Sequence, residues 1–247
     1  MNTMRKILLI IISSVILPIV MTAAKPSLSK PDLEAIKRAT TDENDSVYYY
    51  PRLLAKFMST DTTMTPEQFQ YFYYGTYFQE DYDPYRGPVN SDELKELERI
   101  YSTPDRKRSE LQRIERYAIA SIEDNPVNLR QLTNRIFVFE QKGKLNEAKI
   151  WQYKLNRLLL VIASSGSGAK PEDAWIVVYP QDEYDFLNMS NHTAIDHKFI
   201  SDDSARAYDY IAVKPKTEDA PKGYYFDISE VLKQYYAKHP GEVQSMD

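Results

Sequence analysis

The chain contains no cysteine. Disulfides, thiolate zinc sites, cysteine nucleophiles and a lipid-bearing cysteine behind a leader are thereby excluded, so a protein of this kind that leaves the cell has to be held together by its core. Histidine is nearly as scarce, with three residues in 247. No GxSxG segment is present, which removes the hydrolase nucleophile elbow. Positive charge is in deficit, 31 Lys plus Arg against 36 Asp plus Glu, and an acidic balance argues against nucleic acid and anionic membrane as partners.

Long apolar runs are also missing. The one substantial run, Ile7 to Val20, has 14 residues interrupted by Ser13, Ser14 and Pro18, short of the roughly 20 that span a bilayer. It follows Arg5 and Lys6 and precedes the small residues Thr22, Ala23 and Ala24, the pattern of a signal peptide cut after Ala24. Removing residues 1–24 takes Lys plus Arg from 31 to 29 against 36 acids, a net of −7 in place of −5. The expectation is a bacterial protein of the periplasm or exterior, with no transmembrane segment after cleavage.

What the chain does contain is helix punctuation. Ser29 and Pro31, Pro51 in "VYYYPRLLAKFM", Thr65-Pro66 with Gln68, and Ser91 each open an apolar stripe of helical period. Charged residues such as Arg113 and Glu115 in "PDRKRSELQRIERYAIASIEDNP" read as a solvated face with ion pairs four apart. "NPVNLRQLTNRIFVFEQKGKLNEAKIWQYKLNRLLLVIASSG" reads as an antiparallel helix hairpin turning at Gly143, with a partial tetratricopeptide phase in Phe139, Gly143 and Ala148. After "SSGSG" the period changes. "AWIVVY", "DEYDFLNM" and "AYDYIAVKP" read as strands, and "KGYYFDISEVLKQYYAKH" as a strand, an Asp227 cap and a terminal helix. The expectation is an α+β fold, mostly helical, with a helical region over 25–168 and a small antiparallel sheet and helix over 169–247, packed together or forming one domain over 25–247.

Three segments invite chemistry. "SSGSGAKP" lacks the strand-loop-helix order and GxxxxGK[ST] spacing of a phosphate loop, and Gly166 and Gly168 read instead as left-handed residues ending a helix. "NHTAIDH" offers His192, Asp196 and His197 as weak metal or acid/base candidates, with Asp182, Glu183 and Asp185 upstream as further oxygens. Five residues apart, the two imidazoles fall on opposite faces of a strand, and only a loop would converge them. "EDYDPYRGPVNSDE" fails as an EF-hand because Tyr85 and Arg86 occupy positions that need a ligand and a glycine. No cofactor motif is present.

The most unusual stretch is "YFYYGTYFQEDYDPY", eight aromatics around Gly75. At about 100° per residue, Phe69, Phe72, Tyr73 and Tyr77 gather on one side of a helix and Tyr71, Tyr74 and Phe78 on the other. Such a helix is either buried between layers or presents a tyrosine-lined surface to a partner, with Tyr71, Tyr74, Phe78, Tyr82 and Tyr85 as the residues that would make contact.

Together with "YYYPRLL", "SSGSG" before a short strand and "YYFDIS" near the end, this stretch resembles an uncharacterised family of exported bacterial proteins catalogued as a domain of unknown function, over most of residues 45–230. The resemblance implies export and supplies no catalytic residues. Three functions stand as expectations: a non-catalytic protein binding a protein or peptide, recognition of a glycan or small molecule by the tyrosines, and a metal-dependent hydrolase at His192, Asp196 and His197.

Overall fold

The computed structural model describes residues 28–101, 107–202 and 206–241; the expected leader, residues 1–24, lies outside them. Helix α1 (Leu33–Thr41) starts one turn later than Ser29, because the Asp32 carboxylate accepts the Ala35 N–H at 3.0 Å. Helix α2 (Tyr50–Met58) holds Pro51 in its first turn and buries Leu53 and Phe57. Helix α3 (Pro66–Gly75) has the full capping box, with Thr65 and Gln68 exchanging side-chain to backbone bonds of 3.1 Å in both directions. Helices α4 (Ser91–Tyr101), α5 (Arg108–Asp124), α6 (Leu129–Gln141) and α7 (Leu145–Ser164) follow, and Gly143 turns α6 into α7 at a φ of 69°. Gly168 shares that left-handed φ, whereas Gly166 is a glycine for another reason: a Cβ there would meet the Asp173 carbonyl oxygen at 2.4 Å.

The C-terminal third contains β1 (Trp175–Ile176), α8 (Pro180–Met189), β2 (Ala194–Ser201), β3 (Ala207–Val213), β4 (Gly223–Asp227) and α9 (Ser229–Lys238). Strands β2, β3 and β4 are antiparallel neighbours, and β1 joins β4 in parallel, so the sheet runs β1-β4-β3-β2 and is mixed. The protein is therefore α+β with a helical majority. One expectation fails outright: "DEYDFLNM" lies in helix α8 and not in a strand. Its polar residues at buried positions disguise the helical period, as described below.

A single apolar cluster extends from Ile36 in α1 to Val231 in α9 and takes in both regions. At its centre lies α3, whose Phe69, Phe72, Tyr73 and Tyr74 are 0–1% exposed. A helix buried over most of its surface needs close neighbours, and Gly75 admits one: a Cβ there would fall 2.8 Å from Thr40 of α1. A smaller cluster of Leu97, Ile100, Ile114, Tyr117 and Val138 joins α4, α5 and α6.

The tyrosines of the aromatic stretch do more than fill space. Tyr74 donates to the Ile176 carbonyl (3.2 Å), Tyr77 to that of Val177 and Tyr82 to that of Val178 (2.6 Å). Three phenols thus serve consecutive carbonyls at and just beyond β1, where a buried carbonyl without a partner would cost about 1–3 kcal/mol. Among the described residues, no helix is long and apolar enough to cross a membrane.

Candidate functional site

The five tyrosine-region residues do not form one surface. Tyr74 and Tyr82 are buried with their hydroxyls committed to backbone. Tyr71 is half-buried and stacked on Tyr48 at 4.1 Å, Phe78 is half-buried with Lys37 at 5.8 Å from its ring, and Tyr85 alone is exposed, edge-on to Tyr235. The histidines of "NHTAIDH" are likewise engaged separately. His192 Nε2 lies 3.3 Å from the Tyr224 hydroxyl, and His197 on β2 places Nε2 2.7 Å from Asp209 Oδ1 on β3. Among the described residues no three His, Asp or Glu side chains gather to hold a metal ion.

The residues that stand out physically are on α8. Pro180 sits at the first helical position, and Asp182 and Glu183 follow in the first turn, where the positive end of the helix dipole favours acids. Yet Asp182, Glu183 and Asp185 are buried together with Phe186 and Leu187, an arc of about 200° at 100° per residue. Burying an ionised carboxylate costs several kcal/mol, so three on ten residues are not a packing solution. Clusters of this kind, with their shifted proton affinities, collect at functional sites.

Each acid is held differently. The Tyr73 hydroxyl donates to Asp182 Oδ2 at 2.6 Å and itself accepts the Val178 N–H at 3.2 Å. Burial outweighs that bond and pushes Asp182 up to about 8, so it is mostly protonated at neutral pH. Asp185 is also raised by burial, held back by Arg130, whose Nε and Nη2 both reach its Oδ1 at 3.1 and 2.8 Å. Glu183 receives no hydrogen bond from any donor; its neighbour is the Asp209 carboxyl. Two carboxyls share a hydrogen bond only when one keeps a proton, and burial, which raises Glu183 far above the carboxylate range, makes it the holder.

Asp182, though buried, also lines a cleft of about 230 Å³ between the 84–89 loop, the end of α5, the start of α6 and the start of α8. Amides line it at Asn128, Gln131 and Gln181, and phenols at Tyr117 and Tyr179. Two cations reach it, Arg86 and Arg130, and each is paired, with Asp124 at 2.7 Å and Asp185 at 2.8 Å. Pro84, Pro88, Val89 and Leu94 supply apolar wall between these groups, and with both arginines neutralised and Asp182 protonated the cleft is mixed in character and poor in net charge.

Sequence reading placed Asp182, Glu183 and Asp185 in a strand as further oxygens upstream of the histidines, gave Tyr73 only a place on one face of the aromatic helix, and did not single out Asp209. The signal that locates α8 was present in Pro180 followed by Asp182 and Glu183, a helix-start pattern. Comparison with curated proteins and with solved structures gives no match. Against family descriptions, residues 34–237 match the domain of unknown function DUF4919, and the chain belongs to that family.

Proposed function

We propose that this is an exported, non-catalytic binding protein whose cleft holds a small, uncharged, polyhydroxylated ligand of the size of one sugar unit. The observation that carries the reading is Asp182: a carboxyl in the wall of a cleft of mixed lining, kept neutral by burial, has the capacity both to donate and to accept hydrogen bonds. Amide and phenol groups around it have the same double capacity, which suits hydroxyl groups better than a fixed charge does. At about 230 Å³ the cleft is below the 300–1,000 Å³ common for drug-sized ligands, in keeping with a single ring. Export is supported by the leader pattern in residues 1–24. A peptide gripped by the aromatic stretch has less to support it, because Tyr74 and Tyr82 are in the core and Tyr85 is the one fully exposed residue of the five.

Calorimetric titration with neutral monosaccharides, and with their uronic-acid and amino counterparts, tests this. Saturable binding is expected for neutral sugars, weakened about tenfold or more by Gln131→Ala, equivalent to the loss of one or two hydrogen bonds at about 1.4 kcal/mol per decade. Selective binding of the charged counterparts, or no binding of any sugar, would overturn the assignment.

A further inference from the structure

Strand β2 ends the sheet, since the order β1-β4-β3-β2 leaves it with β3 on one side and no described strand on the other. It is eight residues long, and its middle is exposed, with Ile195 at 63% and Phe199 at 51%. Exposed edge strands of this length and apolarity are templates for further pairing and are ordinarily shortened, charged or covered. The Asp196 carboxylate accepts the His197 N–H at 2.9 Å, a local substitute of the kind an edge amide needs when no strand lies beside it.

The order of residues along this edge is self-complementary. Laid antiparallel to itself with His197 opposite His197, the segment Ile195-Asp196-His197-Lys198-Phe199 sets Ile195 against Phe199 and Asp196 against Lys198, each pair occurring twice about a two-fold axis. Within the regular part of the strand acid thus meets base twice, the arrangement that cross-strand pairing rewards, while Ile195 belongs to the bulge at its start. Slipping one strand by one residue brings Lys198 opposite His197, and by two residues Lys198 opposite Lys198, and either destroys the match. The His197 imidazole is drawn back onto Asp209 of its own sheet at 2.7 Å, which clears the centre of the contact. A β-bulge between Ala194 and Asp196 bends the start of the strand and confines regular pairing with β3 to Asp196 through Ser201.

We infer that β2 is a self-association edge at which a second copy of this chain adds antiparallel about His197, making one continuous eight-stranded sheet across an isologous two-fold contact. Edge pairing alone covers a small area, so the dimer is of the weak, concentration-dependent kind.

The test uses the purified full chain in sedimentation velocity over a wide concentration range, with Asp196→Lys, Lys198→Asp and the double reversal. All substituted side chains are on the exposed strand, and circular dichroism confirms that each variant is folded. The natural sequence is expected to shift from monomer to dimer as concentration rises. Each single reversal places like charges opposite one another at two sites, and is expected to need roughly tenfold higher concentration for the same dimer fraction. The double reversal restores the natural behaviour, and an equimolar mixture of the two single variants forms a heterodimer that neither forms alone. A natural chain that stays monomeric at the highest concentration, dimers indifferent to the single reversals, or an edge found occupied by a different protein while the chain alone is monomeric would each overturn the inference.

Discussion

Helices α3 and α8 are both ten residues long, both begin with proline and both are buried, yet they use burial in opposite ways. In α3 the buried groups are chiefly aromatic rings, and their hydroxyls have partners, Tyr74 on the Ile176 carbonyl and Tyr73 on Asp182, so removal from water is favourable there. In α8 three carboxyls are buried, and two of them, Glu183 and Asp185, keep at least one oxygen without a hydrogen-bond donor. The conspicuous helix is scaffold, and the inconspicuous one carries the strain that marks a site. Composition draws attention to the rare residue type, whereas energetics draws it to the common residue in the wrong solvent.

The contrast can be broken most severely in the turn that directly continues α3, residues 76–78. Tyr77→Ala removes a ring that is fully buried and a hydroxyl bonded to Val177, and should lower stability by about 3–5 kcal/mol in urea denaturation. A loss under 1 kcal/mol would mean that the aromatic stretch is not the centre of the core. At α8 the sign reverses. Asp182 is raised from 3.8 to about 8, so between those pH values the folded chain keeps a proton that the unfolded chain has released, and stability falls as pH rises across that window. Asp182→Asn has no such proton to lose. It should match the natural protein near pH 4 and exceed it by about 1–4 kcal/mol at pH 8, in melts read at both pH values. A variant less stable at pH 8 than at pH 4, relative to the natural chain, would show Asp182 to be a stabilising anion. The smallest effect sharpens the account of the phenols: Tyr74→Phe keeps the ring and leaves the Ile176 carbonyl without its donor, at a cost of about 1 kcal/mol.

Much of the architecture was legible in local chemistry. Thr65, Pro66 and Gln68 fix the start of α3 by bonds that involve only near neighbours, and Gly143 fixes the α6–α7 turn by a φ that other residues resist. The sheet was legible less fully. The alternating "AYDYIAV" became β3, but the parallel β1 is two residues long and its end is met by phenols of the aromatic stretch, Tyr77 and Tyr82, about a hundred residues away in sequence. No local pattern records such a contact. The site was hardest to read, because acids on a buried face look like acids on a wet one until tertiary structure covers them. Asp182, Glu183 and Asp185 therefore weakened the apolar period of α8 and concealed both the helix and its chemistry.

The bonds from Tyr74, Tyr77 and Tyr82 to residues 176–178 also impose an order on biogenesis. The aromatic stretch leaves the ribosome about a hundred residues before the carbonyls that complete it, so until then its rings have only neighbouring helices to pack on. Contacts this distant slow folding, and the waiting apolar surface is exposed to aggregation. Translation that slows before Val178 would lengthen the interval before α3 is enclosed, and a chain arrested at Gly168 would keep this aromatic surface open.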